Sequence, residues 1–223
     1  MPPAPNRHTR DCHGDLINLY RDRIYDSAVP DETRASGKRE PVELRKKFYP
    51  IEVLRQIFAI DDVKTILFHN CKDCQEHLVD NKPAHPSQYD VGKILQTDAT
   101  LSLFALLVFL RHPLLIGTFI ISFDPNSLPL PRYLSTYDLM DRYFSHLPPR
   151  SREQLVSAFQ EYKWQFSVPT FTDGSFQRYE QGTILPFLDE VSIGSGGYGR
   201  VSRVYVHSYY CKIPVASSLV RSL

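Results

Sequence analysis

The chain has 223 residues, 42% of them hydrophobic and 23% charged, with a formal net charge of +1; this is the composition of a globular protein able to bury a sizeable core in one or two domains. So small a net charge supplies no long-range field to draw a nucleic acid or an acidic partner, and four cysteines, Cys12, Cys71, Cys74 and Cys211, are too few and too scattered for a disulfide scaffold. Met1-Pro2-Pro3-Ala4-Pro5-Asn6-Arg7 lacks the apolar core of a secretory signal, so a reducing compartment, cytoplasmic or nuclear, is expected.

Residues 1–13 are rich in proline and charge and are expected to form a disordered tail. From Gly14 or Asp15 to Tyr25 the chain predicts a helix with Leu16, Leu19, Tyr20 and Ile24 on one face. Ser27 to Pro41 has no apolar period and reads as a linker. Lys38, Arg39, Arg45, Lys46 and Lys47, interrupted by Glu40 and Glu43, are ordinarily a solvated face, with a nuclear-import or phosphate-binding patch as the alternative. Pro50 is placed in the first turn of a helix carrying Ile51, Val53, Leu54, Ile57 and Phe58. Asp61 and Asp62 are expected to cap a second, carrying Val63, Ile66 and Leu67. Short connections between such helices predict an antiparallel cluster.

His69, Cys71, Cys74 and His77 hold two thiols and two imidazoles inside nine residues, the ligand types of tetrahedral zinc. Structural zinc sites place their second ligand pair well downstream, and no strand-to-helix context precedes Cys71-x-x-Cys74 for thioredoxin-like redox chemistry. Zinc, redox use and plain helix-end residues near the surface all remain open for this stretch.

Tyr89 to Leu95 predicts a short half-buried element ahead of the most apolar part of the chain, Leu101 to Leu110 and Leu114 to Ile121. A membrane span needs about twenty uninterrupted apolar residues, and Arg111-His112-Pro113 cuts this run with a charge and a helix-breaking proline. Two buried segments are therefore expected rather than a span, with Leu101, Phe104, Leu107, Val108 and Leu115 in the core. Pro125 to Pro131 reads as a loop, and Asp138 to Leu147 as a short helix with Leu139, Met140, Tyr143 and Phe144. Ser151 and Gln154 match a capping box. The helix after them aligns Leu155, Phe159, Tyr162 and Phe166.

Near the carboxyl end stands Ile193-Gly194-Ser195-Gly196-Gly197-Tyr198-Gly199-Arg200-Val201. Glycines in this spacing let a backbone turn sharply and bring amide N–H groups to a polyphosphate without obstruction by a Cβ. A dinucleotide loop opens a helix, yet Arg200 to Val206 is rich in β-branched and aromatic residues and reads as a strand, as does Ile184 to Ile193. Strand, glycine turn and strand are expected.

With valine two places after the last glycine, this stretch resembles the G-x-G-x-x-G-x-V loop of protein kinases. The order of elements, a helical region, then Trp164-x-Phe166-x-Val168-Pro169-x-Phe171, then Ile184-Leu185-Pro186-Phe187-Leu188, looks like that of filamentous-fungal protein kinase-like proteins. The resemblance implies ATP binding over Ile193, Gly194, Ser195, Gly196, Gly197, Tyr198, Gly199 and Val201, with Tyr198 at the tip and Ile193 and Val201 against the adenine. It also implies, for full-length relatives, magnesium-assisted transfer of a phosphoryl group to protein hydroxyls.

The departures are as specific as the match. Val215-Ala216 is followed by serines where the family's third-strand lysine stands, Lys212 lies in a different context, and the sequence contains neither the catalytic-loop aspartate motif nor the magnesium-binding D-F-G. The expected fold is thus mainly α: an irregular helical region over 14–170, and an incomplete kinase-like domain over 171–223 that resembles the first two strands of a kinase small lobe. A truncated or altered reading of a longer coding sequence would produce this, and no catalytic residues are assigned. The other function class is a noncatalytic helical interaction module, its protein partner meeting the helices or the edge of a remnant hairpin.

Overall fold

The computed structural model describes residues 12–30, 47–69, 90–122, 130–173, 178–179, 182–197 and 199–213. It is mainly helical with small strand pairs, and divides into two units: residues 1–28 with 49–167, and residues 29–48 with 168–223. The basic residues Lys38, Arg39, Arg45 and Lys46 lie outside the described residues, as does Tyr89.

The first unit is built on α4, Asp98–Phe109, in which every residue from Thr100 to Phe109 is buried. A helix with no polar side has nothing to offer water and must be covered all round. Its start is fixed by Thr97 and Thr100, whose hydroxyls accept from each other's backbone N–H at 3.2 and 3.3 Å. The cover comes from α1 (Cys12–Asp26), α2 (Ile51–Ile57), a 3-10 turn at Val91–Leu95 and α5 (Ile116–Ser122). All five residues expected in the core, Leu101, Phe104, Leu107, Val108 and Leu115, are buried. No helix among the described residues is long and apolar enough to cross a membrane.

The break after α4 has a specific geometry. Arg111 adopts φ 66°, while its N–H donates to Val108 O at 2.9 Å and that of His112 to Leu107 O at 2.7 Å. These two bonds, followed by Pro113, make a Schellman ending with arginine at the left-handed position that normally takes glycine.

Side-chain patterning departs from expectation in three places. Helix α1 is formed from Cys12 onward, and its buried stripe is His13, Ile17, Tyr20 and Ile24, while Leu19 is 48% exposed. Spacings of four, three and four keep those residues on one line, whereas Leu19 is turned about 100° from Tyr20. Helix α6, Pro149–Tyr162, starts two residues before the expected cap, with Pro149 in its first turn, so Ser151 lies inside the helix. The fixed φ of proline pre-forms that turn and displaces the serine start. The expected helix at 138–147 is largely a π turn, Asp138–Tyr143. Its wider winding brings the neighbours Tyr143 and Phe144 both inward, onto Phe119 at ring distances of 4.1 and 5.9 Å.

Helix α3, Ile60–Leu67, is tied to α1 through one carboxylate. Asp62 accepts from the backbone N–H of Ala59 at 2.9 Å and from Tyr20 Oη at 2.5 Å. Ala59 occupies the cap position and has no side-chain acceptor, so the aspartate three residues on does the capping from inside the helix.

Among the described residues the second unit holds three two-stranded pairs. Strands β1 (Val29–Pro30) and β2 (Lys47–Phe48) are antiparallel; β3 (Phe171–Thr172) and β6 (Cys211–Lys212) are parallel; β4 (Phe187–Gly196) and β5 (Gly199–Val206) form the long antiparallel hairpin. Its small core is aromatic. Phe48 meets His207 and Tyr210 edge-on at 6.0 and 6.1 Å, and Phe171 stacks on Phe187 at 5.7 Å.

Two measurements check the first unit. Arg111→Gly removes the strain of a left-handed arginine, expected to be about 1 kcal/mol, and should raise the melting temperature. Burial and donation to Asp62 push the Tyr20 hydroxyl from its ordinary 10.0 up to about 12. Because the folded value is the higher one, this contribution is fully present below pH 10 and is lost as pH rises through 12. The stability advantage of the wild type over Tyr20→Phe, followed by denaturant unfolding, should therefore shrink between pH 10 and pH 12.

Candidate functional site

The glycine stretch folds as strand, turn and strand. Pairing runs Glu190 with Val204, Val191 with Arg203, Ser192 with Ser202, Gly194 with Val201, Ser195 with Arg200 and Gly196 with Gly199. The register shifts by one residue between Ser192 and Gly194, which makes Ile193 a bulge next to the first motif glycine. A second shift lies between Phe187 and Asp189.

These pairings decide which side chains share a face. Strand alternation puts Val201, Arg203 and Tyr205 on one side of β5, and the pairing of Val191 with Arg203 puts Val191 on the same side of the ribbon; the bulge interrupts the alternation at Ile193. Ile193 is 68% exposed, Val201 62%, Tyr205 51% and Val191 39%. The two residues expected at an adenine are thus both uncovered apolar side chains near the turn. Arg203 lies over the Tyr205 ring at 5.7 Å on the side shared with Val191 and Val201, leaving its cationic edge beside these apolar side chains.

The glycines have room around them. A Cβ built on Gly194 or Gly197 meets nothing within 4 Å, and neither residue holds a left-handed backbone. Neighbouring protein atoms therefore do not require glycine at these two positions. The open space fits the close approach of an anionic group to backbone amides, the physical use of such a loop. Tyr198, expected at the tip, lies outside the described residues, and for Ser195 and Arg200 only the backbone pairing is described.

The other candidate cluster is described only in part. His69 follows α3, while Cys71, Cys74 and His77 lie outside the described residues. Among the described residues no three His, Cys, Asp or Glu side chains converge as a metal site. His69 instead meets Cys12 and His13, more than fifty residues earlier in the chain. The sequence gives little sign of this contact, because Cys12 falls where a tail was expected and the helical stripe reaching His13 emerges only once α1 is seen to begin at Cys12.

No family model, curated protein or solved structure matches the chain.

The empty surroundings of Gly194 and Gly197 carry a stability consequence. Alanine at either position restricts the unfolded chain without a clash in the folded one, so each variant should be as stable as the wild type or more stable by about 0.4–1 kcal/mol. Chemical denaturation of Gly194→Ala and Gly197→Ala measures this directly.

Proposed function

We propose that residues 193–201 are a nucleotide-binding glycine loop of the protein kinase-like kind, within an incomplete kinase-like domain that binds ATP weakly and does not turn it over. The reading rests above all on one observation: the G-x-G-x-x-G-x-V stretch is a paired hairpin in which Gly194 and Gly197 open onto free space and Ile193 and Val201 are exposed. In this reading the backbone amides of Gly194 to Gly199 receive phosphate oxygens, and the purine lies against Ile193 and Val201. These 223 residues hold neither the third-strand lysine nor the metal-binding aspartates, so the proposal assigns them nucleotide binding and gives them no part in phosphoryl transfer or magnesium binding.

A second reading has its own support. Among the described residues, β4 and β5 form a two-stranded sheet with no third strand beside them, and exposed apolar side chains lie along the same ribbon. A noncatalytic interaction module would use such an edge to accept a strand from a protein partner.

Thermal denaturation with millimolar ATP separates the two. At ATP about tenfold above its dissociation constant, binding adds roughly 1.4 kcal/mol to stability, a readable rise in melting temperature. Gly194→Val and Gly197→Val, which meet open space in the unliganded protein, should abolish that rise while leaving the unliganded melting temperature in place. A wild-type protein whose melting is unmoved by millimolar ATP would overturn the nucleotide reading in favour of the partner-strand one.

A further inference from the structure

The amino end of α1 and the residue after α3 bring a thiol and two imidazoles together. Cys12 Sγ lies 3.0 Å from His69 Nε2. The ring of His69 stacks on that of His13, with centroids 5.3 Å apart and planes 19° from parallel. His13 is itself fixed: it is 8% exposed, and its Nε2–H donates to the carbonyl of Ile66 at 2.9 Å. A carbonyl only accepts, so that nitrogen carries the proton. His13 therefore forms a rigid platform, hydrogen-bonded to the last turn of α3, which holds the plane of His69 with its Nε2 toward the sulfur.

Two features of this arrangement favour a nucleophilic sulfur. A base lies within hydrogen-bonding distance of the thiol, and the sulfur sits in the first turn of a fifteen-residue helix, where the macrodipole stabilises negative charge. Burial first, and then the neighbouring His13, lower the basicity of His69. Cys12 and His69 are both partly exposed.

We propose that Cys12 is a reactive thiol, activated by His69 on the His13 platform, and a site of covalent modification by low-molecular-weight disulfides. In the step, Sγ attacks one sulfur of the disulfide as its proton passes to His69 Nε2. The new S–S bond to Cys12 forms and the old one breaks. The leaving thiolate takes the proton from His69 and departs as a thiol. Cys12 is oxidised to a mixed disulfide, half of the reagent is reduced, and no other oxidant is needed. This site is separate in sequence from the glycine hairpin and does not rest on the nucleotide reading.

The test is the rate of mixed-disulfide formation by glutathione disulfide on the full chain, with the modified cysteine identified by peptide mapping. In the folded protein Cys12 should react at least about tenfold faster than Cys211, and the advantage should vanish in denaturant, where the pair is dissolved. His69→Asn should lower the Cys12 rate by about tenfold while the rate at Cys211 stays unchanged. Equal rates at Cys12 and Cys211 in the folded protein, or a folded His69→Asn variant with an undiminished Cys12 rate, would overturn the proposal. The comparison of folded with denatured wild type decides the matter even if that variant does not fold.

Discussion

The first unit depends on the complete enclosure of α4. Ten successive residues from Thr100 to Phe109 are withdrawn from water, and their apolar area can be hidden only if other elements surround the helix on every side. This requirement accounts for the size of the helical unit. Helices α1 and α2, the turn at Val91–Leu95 and α5 each offer an apolar face to α4, and the aromatic contact of Phe58 with Phe104 at 5.2 Å is one such meeting. The elements around α4 are mostly too short to be stable alone, so their helicity follows from docking more than from propensity. Removal of a buried side chain such as Leu107 would be felt by several helices at once, since a filled core relaxes little around a void.

Polar groups then fix how the covering helices are joined. Asp62 holds the start of α3 and the hydroxyl of Tyr20 together. Arg55 does similar work for α2: it donates to Leu95 O at 3.1 Å and pairs with Asp98 at 2.7 Å. The second bond is exposed and adds little energy by itself, but it lies at the amino end of α4, where the aspartate also suits the helix dipole. Leu134 O gathers Gln160 and the buried Lys163, each at 3.2 Å. These bonds carry orientation, while the apolar contacts carry most of the stability.

What the sequence disclosed follows from the range of the forces involved. The centre of the helical unit was legible because the largely apolar run from Leu101 to Leu110, cut by Arg111-His112-Pro113, admits few arrangements, and the glycine hairpin because valine, tyrosine and glycine act locally. Less legible was anything set by competition between neighbouring signals. The Pro149 start of α6 outranked the Ser151 cap, and Arg111 took a left-handed backbone that its side chain disfavours. Least legible were contacts between distant segments. The pairing of Val29 with Phe48 and the approach of Cys12 to His69 bridge long stretches of chain and leave no period or motif behind.

The hairpin inverts the logic of the helical unit. Its base is held by aromatic contacts, with Phe187 on Phe171 and the backbone N–H of His207 donating to Pro186 O at 2.8 Å. Toward the glycines the apolar residues Ile193 and Val201 are exposed, and Gly194 and Gly197 have no neighbour among the described residues to accommodate. An isolated two-stranded ribbon gains little from such a tip. Glycine there also enlarges the entropy of the unfolded chain and works against folding. Folding energetics therefore account for the base but not for the tip. Under the proposed reading, the open backbone at Gly194 and Gly197 is the form a nucleotide loop needs, a use that folding energetics do not supply.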